Sequence, residues 1–204
     1  MPQNNMNLDN VINQSEKWVN TSGDLVDGIQ ISTDKRTRVA AALFHLSMEH
    51  HGSIHVLITK KHYGSAFALL RPQFEAFVRG AWFQNCASDE HLIEYMNNSE
   101  PPKINKLISE IEATPNYVEN TLKEMKKNAW SSLCGYTHGG FSQVINRTTA
   151  TEVSNDYSSE NIVNLINQSS SITLLTLAAI AALIDNEQFA NNAILEYDEI
   201  FCEN

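Results

Sequence analysis

One stretch of the chain, residues 65–86, limits the folds that the whole protein can adopt. Its apolar side chains recur every three or four residues and therefore lie on one side of a helix. They are Phe67, Leu70, Phe74, Phe77 and Ala81. Other elements have to cover a face of this breadth, so the stretch predicts a core helix of a bundle. Pro72 lies inside it, where it removes a backbone donor and favours a kink.

Helical periodicity continues through most of the chain, and strand alternation of useful length does not occur. Eight glycines and five prolines leave little room for a long series of turns. We therefore predict an all-α, single-domain bundle of about six to eight helices across residues 1–204. The prediction divides it into an N-terminal helix with its connector, a bundle core and a C-terminal helix, at 1–30, 32–185 and 187–204.

Capping residues and helix breakers place the individual helices, and N-cap candidates occur in STDK at 32–35 and at Ser88. The predicted helices cover about 7–20, 34–61, 65–86, 88–96, 103–112, 160–185 and 187–200, with a shorter helical piece at 140–147. Thr114 followed by Pro115 predicts one more helix start, and Gly135 ends that helix. The segment TSGDLVDG, residues 21–28, should break the first helix.

The charge and the cysteines indicate a class of protein and a compartment. The net charge is −10 and the pI is about 5.1, whereas proteins that bind nucleic acid nonspecifically usually present a basic face. RNA is therefore disfavoured as a bulk ligand, although a small cleft could still hold it. The three cysteines are far apart and the first residues are polar, which favours a cytoplasmic protein.

The most apolar run is ITLLTLAAIAALI, residues 172–184. It is shorter than the roughly 20 residues that a bilayer requires, so it predicts a buried core helix and no membrane span. No motif in the chain implies a cofactor.

Five of the seven histidines lie in or just after the helix predicted at 34–61. His50 projects onto its apolar side and is predicted to be a hydrogen-bonded core residue. His51 and His55, one turn apart, are weak candidates for a metal-binding pair, and the alternative is a hydrogen bond from each to a neighbouring helix. Gly52 stands where the zinc-binding helix motif has a glutamate, and it should serve close helix packing instead.

Three charged residues, Arg71, Glu75 and Arg79, follow one another at four-residue intervals beside the apolar face of 65–86. We call these three residues the ladder. Glu75 can contact both arginines, and Trp82 projects onto the same stripe. One interpretation is a surface ion-pair series of small energetic value. The other is a partly buried cluster whose arginines bind a carboxylate, a phosphate or a partner chain through their planar forks.

A second unusual stretch, YTHGGFSQVINR, follows the helix that ends at Gly135. Its two adjacent glycines allow the backbone to approach a ligand closely. His138 is therefore a candidate general acid or base, unless it only forms a hydrogen bond at a helix corner. Arg147 could join the two ladder arginines if the segments meet. The candidate binding residues here are Tyr136, Gly139, Gly140 and Arg147.

The run GSAFALLRPQFEAFVRGAW at 64–82, followed by LCGYTHGG at 133–140, resembles a group of bacterial helical proteins similar to the HEPN-like superfamily. That superfamily consists of small α-bundles found in toxin–antitoxin, abortive-infection and other phage-defence systems. The resemblance covers about 35–185 and implies a HEPN-like bundle that forms a homodimer. In active HEPN ribonucleases a His follows an Arg by about four to six residues. Arg71, Arg79 and Arg147 have no His at that spacing.

The residues and the resemblance lead to three functional hypotheses. The first is a non-catalytic partner-binding or regulatory module of a bacterial defence or toxin–antitoxin system, whose protein partner comes from the same operon. The second is a metal-independent ribonuclease. In it His138 takes the 2′-hydroxyl proton and a ladder arginine, beside Glu75, stabilises the phosphorane. A distant third is a metal-dependent hydrolase that uses His51 and His55.

Overall fold

The structure is a computed structural model that describes residues 8–127, 136, 140–149, 151–154 and 156–202. Its named helices are α1 (Leu8–Val26), α2 (Lys35–Thr59), α3 (Tyr63–Asn85), α4 (Asp89–Met96), α5 (Ile104–Ile111), α6 (Phe141–Ile145), α7 (Ser159–Leu183) and α8 (Glu187–Phe201). Residues 121–127 are helical as well. Within the described residues, extended pairing is limited to an isolated bridge between Thr148 and Val153. The predicted all-α class is confirmed.

The bundle is built around a hairpin of α2 and α3, which the short turn at 60–62 joins. α7 packs against both helices, α1 and α8 cover α7, and α5 lies on α3. The predicted apolar face of α3 is buried throughout. Large, fully buried side chains come from α1, α2, α3, α5 and α7: Trp18, Phe44, Phe77, Leu107 and Ile162.

The close packing of α2 against α3 depends on Gly80. A Cβ at this position would lie 2.6 Å from Cε1 of Phe44 and 3.3 Å from the carbonyl oxygen of Ala40. A side chain at this position would therefore force the Phe44 ring or the two helices to shift. Gly52 does not play the packing role expected of it, because a Cβ there would only meet Val19 at 3.9 Å, an ordinary contact distance.

Two of the helix starts follow their predicted capping residues, whereas the end of α1 does not follow its predicted break. Asp34 accepts the backbone N–H of Thr37 at the start of α2, and Ser88 forms a capping box at the start of α4. α1 continues through Gly23 to Val26, so the expected break at 21–28 comes too early. The packing of α1 on three neighbouring helices outweighs the roughly 1 kcal/mol that a glycine costs inside a helix.

The helix predicted to start at residue 114 starts later, and the described helical run begins at 121. The backbone N–H groups of Leu122 and Lys123 donate to Oε1 of Glu112 at 2.7 and 3.0 Å. A carboxylate upstream of the helix therefore satisfies its first free donors, in place of the local Thr–Pro signal. The end of the predicted helix lies outside the described residues.

α7 contains the most apolar run and is a core helix, as predicted. It has 25 residues and a window of mean hydropathy 1.4, so by length and composition alone it could cross a membrane. However, 61% of that window is buried inside the bundle, as is usual for the core helix of a soluble protein. None of the other described helices is both long and apolar enough for a span.

Candidate functional site

The ladder lies on one edge of α3. Nε of Arg71 donates to Oε1 of Glu75 at 2.7 Å, and Nη2 of Arg79 lies 3.8 Å from Oε2 of the same carboxylate. Arg79 also lies 3.6 Å from Oε2 of Glu100. The three ladder side chains are between 23% and 33% exposed. Glu75 therefore contacts each arginine, as predicted, and the ladder is partly buried.

An open cleft of about 380 Å³ lies beside the ladder, between α2, α3 and the end of α4. We call it the ladder cleft. Besides the ladder it is lined by Leu43, Leu46, His50, Pro72, Ala76 and Tyr95. One wall is therefore charged and the other is largely apolar. Leu46 is 38% exposed, so part of the apolar wall is open to a partner.

The charges around the ladder cleft are nearly balanced. Two arginines face the carboxylates of Glu75 and Glu100. Burial lowers the pKa of His50, and the nearby Glu49 offsets part of that effect, so the imidazole is mostly neutral at pH 7. The cleft thus presents positioned donors and acceptors rather than a strong positive field.

Trp82, predicted to stand beside the arginines as a binding residue, is not accessible to a ligand. Its side chain is fully buried, and Nε1 donates to Oε2 of Glu110 at 2.5 Å. Its ring packs against Phe83 and His91, with centroid separations of 5.1 and 5.0 Å. Trp82 does lie on the same stripe of α3 as the ladder, but side chains of α4 and α5 cover this end of the stripe.

Of the histidines of α2, His50 does not lie where it was predicted, whereas His51 and His55 form the predicted hydrogen bonds to neighbouring helices. His50 is half-buried at the ladder cleft, and the prediction of a core residue is wrong because the buried side of α2 is turned by about one residue, roughly 100°. His51 and His55 are the buried ones. Nδ1 of His51 lies 2.8 Å from Oγ of Ser169 on α7, and Nδ1 of His55 lies 3.1 Å from Oγ of Ser15 on α1.

This geometry does not favour a metal pair. The Nδ1 atoms have hydrogen-bond partners on different helices, which orients the two rings toward separate neighbours and leaves only their Nε2 atoms for a metal. Among the residues that the structure describes, no three His, Cys, Asp or Glu side chains form a group that could hold a metal ion. The hydrogen-bonding alternative describes both histidines.

His51 belongs to a buried set of hydrogen bonds between α2, α3 and α7, which we call the core network. Oγ of Ser169 donates to Oε1 of Gln73 at 2.7 Å, and Nε2 of Gln73 donates to the carbonyl oxygen of Ser169 at 2.9 Å. Because a hydroxyl has one hydrogen, Nδ1 of His51 must donate to Ser169. Burial, and then the nearby His55, lowers the pKa of His51 to about 3, so the ring is neutral.

The candidate residues that follow residue 135 are only partly described. His138 and Gly139 lie outside the described residues, so a joint site of His138 with the ladder stays a prediction. Gly140 is the N-cap of α6. Tyr136 is buried, and its ring stacks on Phe67 with centroids 4.5 Å apart, so its side chain serves packing.

Arg147 forms a site of its own at the start of α3. Its Nη1 donates to the carbonyl oxygen of Gln143 at 3.1 Å and to the hydroxyl of Tyr157 at 3.0 Å. The guanidinium lies over Gly64, where a Cβ would be 2.8 Å from its Cζ. Arg147 does not line the ladder cleft, and its contacts do not join it to the ladder arginines.

A comparison with protein-family models identifies the family of the chain. Residues 44–202 match the model of DUF6988, which is described as a family of unknown function. The chain belongs to the DUF6988 family. Neither the search of curated proteins nor that of solved structures gave a match.

The ladder, the core network and the Arg147 site all fall inside the part of the chain that matches DUF6988. α1 and the first part of α2 lie outside it. In this DUF6988 protein, the matched region therefore contains each of the polar sites described above.

Sequence reasoning missed two residues of these sites, Gln73 and Tyr157. A signal for Gln73 was present in α7, where Ser169, Thr173 and Thr176 recur at helical spacing within an apolar helix. Buried hydroxyls need partners, so such a stripe indicates a polar side chain on the facing helix. Tyr157 lies in a segment without periodicity, and nothing local marks it.

Proposed function

We propose that this DUF6988 protein is a non-catalytic, HEPN-like binding module that recognises a protein partner at the ladder cleft. The observation that supports the proposal is a cleft with positioned charges on one wall and exposed apolar surface on the other. The cytoplasm and a bacterial defence or toxin–antitoxin operon are the proposed setting, which rests on the sequence resemblance. The resemblance also predicts a homodimer, which sedimentation analysis would detect.

The two arginines of the ladder are suited to different tasks in binding. Arg71 has a hydrogen bond of 2.7 Å to Glu75, so its side chain is ordered before a partner arrives and loses less entropy on binding. Arg79 faces its two carboxylates at 3.6 and 3.8 Å, beyond hydrogen-bond distance. It can therefore turn toward a carboxylate of the partner and form a closer, charge-assisted bond.

The apolar wall determines what must stand beside that carboxylate. Leu46 is partly exposed, and Tyr95 and Pro72 line the same cleft. Burial of such surface is the main favourable term in most protein association. The expected partner segment therefore places an apolar side chain next to an acidic one.

Catalysis in the cleft is less well supported. Stabilising a phosphorane requires donors that are free to face the developing charge, and here each arginine already faces a glutamate. The net charge of −10 also opposes the approach of RNA. Binding without chemistry fits both facts.

Site-specific photo-crosslinking in bacterial cells tests the proposal. A benzophenone amino acid at Leu46, in the cleft, should give a discrete crosslinked partner. The same group at Val56, which is 55% exposed on the same helix outside the cleft, should not. Arg79→Glu should abolish the product at position 46, because it reverses the charge that meets the partner.

Two results would contradict this function: equal crosslinking at positions 46 and 56, or a product at 46 that Arg79→Glu leaves unchanged. Circular dichroism of the Arg79→Glu variant controls for folding. Its side chain is a third exposed, so the substitution should be tolerated.

The ribonuclease alternative has one observation in its favour. Tyr136 stacks on Phe67, one helical turn before Arg71, so the chain at residue 136 lies close to the ladder. An RNA-cleavage assay with wild type and His138→Ala decides between the two functions. Cleavage that disappears in His138→Ala would favour the nuclease, and an inactive, non-toxic wild type would exclude it.

A further inference from the structure

We propose that Arg147, seated on Gly64 beside Tyr157, binds a small oxyanion, a phosphate or a carboxylate group. The four residues Gly64, Gln143, Arg147 and Tyr157 are called the arginine seat. This site is separate from the ladder cleft, so its failure would leave the proposed function untouched.

On the guanidinium of Arg147, Nη1 forms the side-chain hydrogen bonds, and Nη2 is the atom that lies nearest to Gly64. Nη1 donates to the carbonyl oxygen and Oε1 of Gln143 and to the hydroxyl of Tyr157. Nε and Nη2 donate no hydrogen bond to any residue that the structure describes. The edge of the fork formed by these two nitrogens matches the bidentate geometry with which arginine binds carboxylate and phosphate.

The charge of Arg147 is not compensated by an acidic group. Within the described part of the chain no carboxylate lies within 4.0 Å of it, although the protein carries 24 acidic residues. Arg147 is only partly exposed, and a partly buried charge normally has a charged partner. The ladder arginines have such partners, so Arg147 differs from them in the property that matters for binding an anion.

The start of α3 adds a second positive potential at this place. The helix has 23 residues, no side-chain cap at its N-terminus and no acidic residue in its first turn. The positive end of the helix dipole therefore lies against the cation on Gly64, an arrangement that is unfavourable without an anion. An oxyanion bound at Arg147 would neutralise both.

The arginine seat is held in place before any ligand binds. Tyr157 is 8% exposed, stacks on Phe67 with centroids 5.4 Å apart, and donates its hydroxyl to Oε1 of Gln143 at 2.9 Å. Nε2 of Gln143 donates to the carbonyl oxygen of Gly64 at 2.8 Å. These bonds hold the groups that accept from Nη1 of Arg147, so little side-chain entropy remains to be lost on binding.

Gly64 is the residue that makes the seat possible. A Cβ there would lie 2.6 Å from Oε1 of Gln143 and would overlap the guanidinium of Arg147. Gly64→Ala therefore displaces the arginine and leaves the charge of the protein unchanged. This variant separates the geometry of the site from its charge.

Isothermal titration calorimetry of the full chain with inorganic phosphate, and separately with acetate, tests the inference. We expect saturable binding of at least one anion to wild type, and the stronger of the two identifies the preferred oxyanion. Gly64→Ala and Arg147→Gln should weaken it at least about tenfold, the order of magnitude of a charge-assisted hydrogen bond. Arg147→Lys, which keeps the charge but loses the fork, should weaken it as well.

The matched control is Arg38→Gln on the exposed side of α2, which removes the same charge far from the seat in sequence. It should bind the anion as wild type does. An equal loss in Arg38→Gln, or the absence of saturable binding to wild type by either anion, would overturn the inference. If Arg147→Gln fails the circular dichroism check for folding, Arg147→Lys provides the comparison.

Discussion

The two polar sides of α3 differ in how completely their groups are paired. On the inner side, the amide of Gln73 is fully buried and both its oxygen and its nitrogen have partners. On the outer edge, Glu75 and Arg79 are 23% and 33% exposed, and their oxygen–nitrogen distance is 3.8 Å. Buried hydrogen bonds between helices specify how the helices pack, whereas a loose set of charges can exchange partners.

Disrupting the hydrogen bonds of Gln73, on the inner side of α3, should have the largest effect on stability. Gln73→Leu keeps the volume roughly but leaves the hydroxyls of Ser169 and Thr173 buried with fewer partners. We expect the free energy of unfolding to fall by about 3 kcal/mol in urea denaturation. Gln188→Leu, on the exposed start of α8, is the chemical control and should change little. If the Gln73→Leu protein were as stable as wild type, the inner side of α3 would not be more important for stability than the outer edge.

Acidification from about pH 6.5 to about pH 5 should have the next largest effect on stability, through His51. The folded state holds His51 neutral with a pKa of about 3, against 6.5 for an unperturbed histidine. Between these values the unfolded state binds more protons, so stability falls as pH decreases from 6.5, by up to about 1.4 kcal/mol per pH unit for this group. Denaturation at several pH values should show a shallower slope in His51→Gln. The exposed His45→Gln is the control, and a slope unaffected by His51→Gln would contradict the assignment.

On the outer edge, the same kind of substitution should have a smaller effect. Glu75→Gln removes the carboxylate that both ladder arginines face, but all three side chains are already partly solvated. We expect a loss of no more than about 1 kcal/mol in the free energy of unfolding. A loss as large as that of Gln73→Leu would show that the ladder is a structural element.

A high salt concentration should have the smallest effect, and it should act on the outer edge of α3 alone. At an ionic strength of about 1 M the Debye length is about 3 Å, so the ladder pairs are screened. The stability difference between wild type and Glu75→Gln should then shrink by a few tenths of a kcal/mol. The difference for Gln73→Leu should stay constant, because neutral buried hydrogen bonds are not screened. Parallel denaturation curves at low and high salt measure both.

Local sequence patterns were sufficient for features that depend on neighbours within one or two turns. The buried face of α3, the caps at Asp34 and Ser88, and the contact of Glu75 with both arginines all follow from spacing along one helix. In these cases tertiary packing agrees with the local preference, so the prediction holds.

The features that were missed depend on contacts between distant segments. α2 has apolar residues on two adjoining sides, so its sequence does not decide whether His50 or His51 faces the core, and the position of α7 does. The start of the helical run at 121 depends on Glu112, which competes with the Thr–Pro signal. Arg147 meets Gly64 across a sequence separation that no local pattern can predict.

The position of Gly64 and Glu75 on one helix has a further consequence. Eleven residues separate them, which corresponds to about 16 Å along a helix axis. α3 therefore fixes the distance between the arginine seat and the ladder. A single partner that occupies both places must carry its two acidic groups at that spacing, and one that is shorter can reach only one of them.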